Sequence, residues 1–336
     1  MQFRMTTVVA VSLLLGAALA ALAPAPAQAQ ALSQTVMALY PPETGEVVFV
    51  DLQVARRSPH FNRLKEQVLP ERFRDLERLS AQMGVDFNRN VDRISYAFVS
   101  TTGDPVEADF VGVAEGAFEL REAQRMAVAQ KLVSSDIGPV AVYVLGRNDR
   151  GNEFVFAFRD NATLLFGFRN QVEAMLERAG PAGGGAGGGS SLLDNADMRD
   201  LINDVNRAAP IWMALNGEFT QLAVRQFLGQ EASLPGVESM TERVRNATIR
   251  ITLGQGLNST MSTRCASATD ALWFSGLLQT ALYFQRQRLN SENPTLARVI
   301  GEAKLERTGD RISLGVSIPE SDLAALVNSN SFTVRF

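Results

Sequence analysis

The feature that most constrains the fold is a glycine-rich run near the middle of the chain, GPAGGGAGGGSS over residues 180–191. Such a run has no large side chains with which to build a core, and it behaves as a flexible coil. It also lacks the Gly-Lys-Ser/Thr ending of a phosphate-binding loop. The run therefore predicts a linker between one lobe over residues 30–179 and a second over residues 192–336.

The two sides of this linker carry a similar succession of patterns. Residues 46–52 and 211–215 predict strands, and each is followed by apolar residues at helical spacing. Two strands, a helix and further strands follow on each side, and turns such as residues 254–256 join neighbouring strands as hairpins. Because hairpins join antiparallel strands, we predict an α+β fold. It would have two similar lobes, each a mainly antiparallel sheet with helices packed on one face.

The first 29 residues predict export. Arg4 is the only charge before residue 43, residues 7–22 are almost wholly apolar, and residues 27–29 place small side chains at the spacing of a cleavage site. An uncleaved anchor is the alternative, but the apolar run is shorter than the roughly 20 residues that span a bilayer. We therefore predict a signal peptide with cleavage between Ala29 and Gln30, a periplasmic or extracellular location, and no membrane span in the mature chain.

Composition excludes several classes of function. One cysteine and one histidine in 336 residues exclude an internal disulfide framework and zinc sites built mainly from these residues. With 32 basic against 36 acidic side chains, the formal charge is −4, which argues against a nucleic-acid partner. No pattern predicts a cofactor. Cys265 ends a strand pattern in which Leu257 and Met261 share its face, so we expect a buried, inert thiol.

Four groups of short motifs carry a resemblance. They are ALYPP (38–42) with EVVFVDL (46–52) and RSP (57–59), MGVD (83–86) with NVDR (90–93), FGFR (166–169), and IPE (318–320) with Leu323. Together they resemble a group of uncharacterised exported proteins common in acidobacterial genomes. The resemblance covers most of the chain after residue 29. That group has no assigned activity, so the resemblance implies no catalytic or binding residues.

His60 is the first candidate for chemistry, because it is the only imidazole in the chain. A Ser-His-Asp triad would have to use it, but no G-x-S-x-G elbow supplies a nucleophile. The histidine follows Ser-Pro at the start of a predicted helix. We therefore favour a surface or capping residue over a catalytic base.

Asp86, Asn88, Asn90 and Asp92 form the second candidate, since they alternate as the oxygen ligands of a calcium loop do. An EF-hand would also need glycine at its sixth position, where this chain has Val91, and glutamate at its twelfth. The alternative is a helix-to-strand turn, in which Asp and Asn cap the backbone. We favour the turn, although these four residues are the best metal candidate of the chain.

Residues 271–284, ALWFSGLLQTALYF, form the most apolar segment after the signal peptide. The segment is too short to span a bilayer. Because its apolar side chains occur nearly all round a helix, we predict a core helix buried on several sides. The wall of an apolar cavity and a helix that touches a membrane are the alternatives.

No catalytic residue is predicted. We expect an exported, non-catalytic binding or interaction module of the cell envelope, with an envelope protein as partner. A carrier of lipid or another apolar ligand is one alternative. It is favoured by residues 271–284 and by the phenylalanine-rich strands over 154–168, and it would need a cavity of several hundred Å³. A carboxylate-dependent hydrolase is the other, and it would need a cleft with two acids and a perturbed pKa.

Overall fold

The computed structural model describes residues 31–68, 71–148, 151–180, 189–206, 209–228 and 236–332. The cleavage site at Ala29 and Gln30 and most of the glycine-rich run lie outside these ranges. The signal peptide and the flexible linker therefore stay predictions. None of the helices in the described ranges combines the length and the apolar character needed to cross a bilayer.

The chain divides into two compact units. Within the described residues, the first unit contains residues 31–53 and 71–199, and the second contains residues 54–68 and 200–332. The segment after the glycine-rich run joins the first unit through hydrogen bonds. The Leu192 amide donates to the Tyr40 carbonyl at 2.8 Å, and the Asn195 side chain donates to the Pro42 carbonyl at 2.7 Å.

Helices and strands are numbered in chain order within the described residues. The helices are α1 (Gln34–Met37), α2 (Leu52–Ala55), α3 (Phe61–Val68), α4 (Glu71–Gln82), α5 (Phe87–Asn90), α6 (Leu120–Ala129), α7 (Arg169–Ala179), α8 (Ala196–Val205), α9 (Gly217–Leu228), α10 (Val237–Thr241), α11 (Ala268–Glu292), α12 (Pro294–Gly301) and α13 (Glu320–Asn328). The strands are β1 (Thr44–Asp51), β2 (Val91–Val99), β3 (Asp109–Gly116), β4 (Ser134–Ile137), β5 (Val140–Arg147), β6 (Glu153–Asp160), β7 (Thr163–Phe168), β8 (Ile211–Leu215), β9 (Val244–Leu253), β10 (Leu257–Cys265), β11 (Lys304–Thr308) and β12 (Arg311–Ile318).

The first unit is built on an antiparallel sheet with the strand order β1-β2-β3-β7-β6-β5-β4. Its strands β2, β3, β6 and β7 are apolar at most positions, so both faces of the sheet are largely buried. The prediction of an α+β fold with antiparallel sheets and helices is confirmed at this coarse level.

One face of this sheet carries an aromatic row. Tyr96, Gly112, Phe166, Phe156 and Tyr143 stand opposite one another on successive strands from β2 to β5. The glycine makes room for its neighbour, because a Cβ added at Gly112 would lie 2.3 Å from Cζ of Phe166. The Phe166 and Phe156 rings are fully buried, and the Tyr143 and Phe156 rings stack with centroids 5.2 Å apart. The aromatic row is therefore a main part of the core of the first unit.

The second unit has an antiparallel sheet with the order β8-β9-β10-β12-β11. Leu257, Met261 and Cys265 are all buried on β10, as the strand pattern predicts. Burial raises the pKa of the Cys265 thiol to about 11, and the charges of Asp270 and Asp310 add to the effect. The prediction that Cys265 is buried is confirmed.

The long helix α11 begins at a cap, because the Ser267 hydroxyl accepts a hydrogen bond from the Asp270 amide at 3.1 Å. Its buried side chains are Ala271, Phe274 and Leu278. These positions recur every three or four residues, so they form one stripe along the helix. The helix contacts β10, β11, β12, α10 and α12.

The opposite side of α11 lies in solvent. The outer face, as we call it, consists of Leu272, Trp273, Tyr283 and Phe284, whose exposed fractions are 54%, 63%, 58% and 56%. The prediction of a core helix buried on several sides is therefore wrong for this face. Apolar residues occur all round the helix, but within the described residues only one stripe of them is buried.

Candidate functional site

A cavity of about 790 Å³ opens in the first unit, where α6, α7 and the ends of β4, β5 and β6 come together. Helix α6 contributes Leu120 and Gln124, and the C-terminal end of α7 contributes Leu176. The turn between β4 and β5 contributes Gly138 and Pro139. The cavity thus lies between helices and a sheet.

The lining is predominantly apolar. The apolar and aromatic lining residues are Leu120, Ile137, Pro139, Val140, Ala141, Tyr143, Phe158, Leu176 and Ala179. Tyr143 is the last residue of the aromatic row. The ring centroid of Phe158 lies 5.9 Å from that of Phe156, which is also in the row. The aromatic core of the first unit therefore continues to the wall of the cavity.

The charged lining residues are Arg159, Asp160 and Glu177. The Arg159 side chain is only 13% exposed, whereas that of Asp160 is 48% exposed. The Nε of Arg159 lies 3.9 Å from Oδ2 of Asp160, which is beyond hydrogen-bond distance, and this is the ion pair that the described residues give it. Asp160 also accepts a hydrogen bond from the Ala162 amide at 2.8 Å. The wall of the cavity therefore includes a largely buried arginine side chain with a loosely held counter-charge.

Tyr143 adds a hydroxyl group to this wall. Burial raises the pKa of the Tyr143 phenol, and the charge of Asp136 on β4 raises it further. The group is therefore a neutral phenol at physiological pH and can donate or accept a hydrogen bond.

The far end of the same elements is fixed by a cluster of charges around Glu153, the first residue of β6. Arg147 of β5 donates to Glu153 at 2.7 Å, and Arg169 of α7 also donates to it. Arg169 also donates to the Ser135 hydroxyl of β4 at 2.9 Å. The hydrogen bonds from both arginines lower the pKa of Glu153. This cluster ties β4, β5, β6 and α7 together at the end away from the cavity.

Within the described part of the chain, two carboxyl groups have a raised pKa, but they do not form a pair. Burial raises the pKa of Glu46 to about 8, and neither of its oxygens has a hydrogen-bond partner within the described residues. Burial also raises the pKa of Glu115, while Arg93 at 3.6 Å lowers it. Glu46 stands opposite Phe98, and Glu115 stands opposite Arg93, five positions away on β2. An odd offset places the two carboxyl groups on opposite faces of the sheet. Neither residue lines the cavity.

Asp86 and Asn90 of the calcium candidate have structural roles at the short helix α5, directly before β2. Asp86 caps α5 by accepting a hydrogen bond from the Asn88 amide at 2.8 Å. The side chain of Asn90 accepts from the Asp86 amide at 2.8 Å and donates to the Ala117 carbonyl at 3.2 Å. Asp92 lies within β2. These are the roles that the turn alternative assigns to Asp and Asn. Within the described residues, no group of three or more His, Cys, Asp or Glu side chains could hold a metal ion.

His60 lies directly before α3, and its carbonyl accepts a hydrogen bond from the Leu64 amide at 3.0 Å. The Ser58 hydroxyl accepts from the His60 amide at 3.4 Å, so Ser58 takes part in the turn. Nε2 of His60 is buried without a hydrogen-bond partner within the described residues. His60 belongs to the second unit and is not a lining residue of the cavity.

Sequence reasoning did not identify Arg159 as a site residue. The signal is present in the strand FVFAFRD over 154–160, where Val155, Ala157 and Arg159 alternate with phenylalanines. Because both sets of positions are apolar, both faces of β6 are expected to be buried. An arginine that shares a face with Val155 and Ala157 is therefore a candidate for a buried cation.

Comparisons with known proteins give little beyond this geometry. No family model matches the chain, and no curated protein matches it. Among solved structures, the chain is similar to TP0453, described as "Structure of crystal form I of TP0453". The identity is 10%, the match covers 91% of this chain and 99% of that chain, and the TM-score is 0.49. The resemblance to the exported acidobacterial proteins therefore stays a prediction.

Proposed function

We propose that the protein is an exported, non-catalytic binding protein that carries an apolar ligand in the cavity of its first unit. The cavity itself is the observation that carries this proposal. Its volume of about 790 Å³ falls in the range of small-molecule sites, about 300–1,000 Å³, and its walls are mainly apolar with few polar groups. The envelope-protein partner becomes the second candidate.

Arg159 adds a preference for the head group of the ligand. A guanidinium withdrawn from water is stabilised by an anion that can accept its several N–H donors. Asp160 is half exposed and bound to its own turn, and Glu177 is exposed, so solvent screens both acids more than it screens Arg159. The expected ligand is an acyl chain with a carboxylate or phosphate head.

Calorimetric titration with decanoate and with 1-decanol tests both parts of the proposal. Replacing Ala141 with Trp fills the cavity and is expected to weaken the binding of both probes. Replacing Arg159 with Gln is expected to weaken decanoate by at least tenfold and to leave 1-decanol unchanged, because only the anion uses the guanidinium. Arg125→Gln is the matched control, since that arginine is 74% exposed on α6 and does not line the cavity.

Each outcome of this titration has one meaning. If neither probe binds the unaltered protein, the carrier proposal is wrong. It is also wrong if the Ala141→Trp variant binds both probes as tightly as the unaltered protein does. If Arg159→Gln and Arg125→Gln bind decanoate alike, the head-group preference is wrong and the cavity alone is retained. Native mass spectrometry of protein purified from its own envelope distinguishes the candidates. A co-purified lipid supports the carrier, and a bound protein supports the interaction module.

We also infer that the two units are diverged copies of one lobe. The order β1-β2-β3-β7-β6 in the first unit and the order β8-β9-β10-β12-β11 in the second follow the same path, with two added strands in the first. Gly84 and Gly236, with φ of +79° and +85°, precede the short helices α5 and α10, each of which leads into the second strand of its unit. An experimental structure in which superposition pairs the strands in a different order would contradict this inference.

A further inference from the structure

The outer face of α11 is the largest group of exposed apolar side chains in the described residues. Four of the seven large apolar side chains that are exposed there lie on this one helix, and the other three are single valines elsewhere. Single exposed apolar residues are common on protein surfaces, whereas a cluster on one face indicates a binding site for a protein, a membrane or a ligand.

The four residues lie close together in space. At about 100° per residue, Trp273 and Phe284 point in nearly the same direction, and Leu272 and Tyr283 lie beside them on one side. Gly276 and Thr280, which are also exposed, lie between the two pairs and are small. The face is therefore a strip of about 18 Å along the helix, with aromatic side chains at both ends.

Charge favours one kind of partner for this strip. Between Asp270 and Glu292 the chain has no acidic residue, and its only charges are Arg286 and Arg288, both exposed. Arg288 lies on the same side of the helix as Phe284, one turn further on. Arg286 and Arg288 give this acid-free strip a local positive charge, which favours an anionic surface although the whole chain has a net charge of −4.

We propose that the outer face of α11 binds the surface of a lipid membrane that contains anionic lipid. Trp273 and Tyr283 have the amphipathic rings that prefer the boundary between head groups and acyl chains. Leu272 and Phe284 enter the acyl region, and Arg288 contacts lipid phosphates. The helix lies in the plane of the membrane and does not cross it. This proposal does not depend on the cavity of the first unit.

Vesicle sedimentation tests the proposal with phosphatidylcholine vesicles that contain phosphatidylglycerol, and with phosphatidylcholine alone. The protein and its variants are produced from the full sequence. The intact mass of each is measured to check that all of them have the same N-terminus. We expect binding to the anionic vesicles and at least tenfold weaker binding to the neutral ones. The variant Trp273→Ser with Phe284→Ser is expected to bind at least tenfold more weakly, because it removes two large apolar contacts with the bilayer. Val128→Ser, at a valine that is 80% exposed in the first unit, is the matched control and is expected to bind normally.

Fluorescence gives an independent measurement, because Trp212 is buried and Trp273 is exposed. We expect a blue shift on adding anionic vesicles, and quenching by lipids brominated on the acyl chain. The proposal is wrong if the unaltered protein binds no vesicle, if the double variant binds as well as the Val128→Ser control, or if brominated lipid does not quench. Self-association that the double variant abolishes, without vesicle binding, would assign the face to a second copy of the chain. Equal binding to neutral and anionic vesicles would overturn the role of charge.

Discussion

The two units share a strand order, but they differ in the segment after the third strand. In the first unit, β3 is followed by the ten-residue helix α6 and then by β4 and β5, which extend the sheet. In the second unit, β10 is followed by the 25-residue helix α11 and by α12, without added strands. The first insertion borders the cavity, and the second presents the outer face of α11. Under the inferred duplication, the position after the third strand carries a concave site in the first unit and a convex apolar surface in the second.

The sharpest test of this contrast compares two adjacent residues of α11. Phe274 is 1% exposed and Trp273 is 63% exposed, so only the first is part of the core. Phe274→Ala is expected to lower the free energy of unfolding by about 3–5 kcal/mol. Trp273→Ala is expected to change it by less than about 0.5 kcal/mol. Urea unfolding followed by circular dichroism measures both. Similar losses for the two variants would mean that the outer face is packed against protein.

The second test uses another difference between the units. Strand β1 of the first unit contains buried carboxyl groups, whereas the buried polar side chains described in the second unit are those of Ser and Thr. Glu46 is the carboxyl group to test. With the pKa raised from 4.5 to about 8, the folded protein keeps a proton that the unfolded chain has lost. The unfolded state binds fewer protons between these two values, so stability falls as pH rises through this window and is level outside it. Between pH 5 and pH 7 the fall from this group is about 2–3 kcal/mol.

Glu46→Gln removes this ionisation and is therefore expected to flatten the dependence of stability on pH. The variant gains most over the unaltered protein near pH 8 and least near pH 4.5. Melting temperatures across this range measure the effect, with Glu306→Gln, on an exposed residue of β11, as the control. A difference between variant and unaltered protein that stays constant with pH would show that Glu46 is ionised in the fold.

The smallest expected effect compares a glycine from each sheet. A Cβ at Gly112 of β3 would meet the ring of Phe166 at 2.3 Å, whereas a Cβ at Gly315 of β12 has no neighbour within 4 Å. Gly112→Ala is expected to cost about 1–3 kcal/mol, because the ring must move within a packed core. Gly315→Ala is expected to stabilise the protein by up to about 1 kcal/mol, because alanine restricts the unfolded chain. If both variants lowered the free energy of unfolding by the same amount, the packing of Phe166 against Gly112 would not be tighter than that around Gly315.

Much of the secondary structure could be predicted from the sequence. The strand predicted over residues 211–215 has those bounds, and Cys265 ends β10 as predicted. These segments alternate or are strongly apolar, and turn residues bound them. Strand β4 gave no such signal, because its sequence SSDI is polar and mostly exposed. Its pairing with β5 is made by backbone groups, which the sequence does not display.

The candidate site was less predictable than the fold. The phenylalanines of β6 and β7 suggested an apolar site in the first unit, but they mostly fill the core, and only Phe158 lines the cavity. In α11 the apolar residues surround the helix, so periodicity could not indicate which side is covered. The residues that line the cavity and the side of α11 that is covered both depend on which elements lie next to each other. A single sequence does not contain that information directly.

The state of Cys265 has a practical consequence. Its sulfur is shielded, and its pKa of about 11 leaves little thiolate at neutral pH, so reagents that attack thiolates react with it slowly. A second cysteine engineered on the surface, at Gln124 beside the cavity or at Gln287 on α11, would be labelled almost alone, because both positions are exposed. Spin labels or dyes can therefore be attached at one chosen position while the native cysteine stays in place.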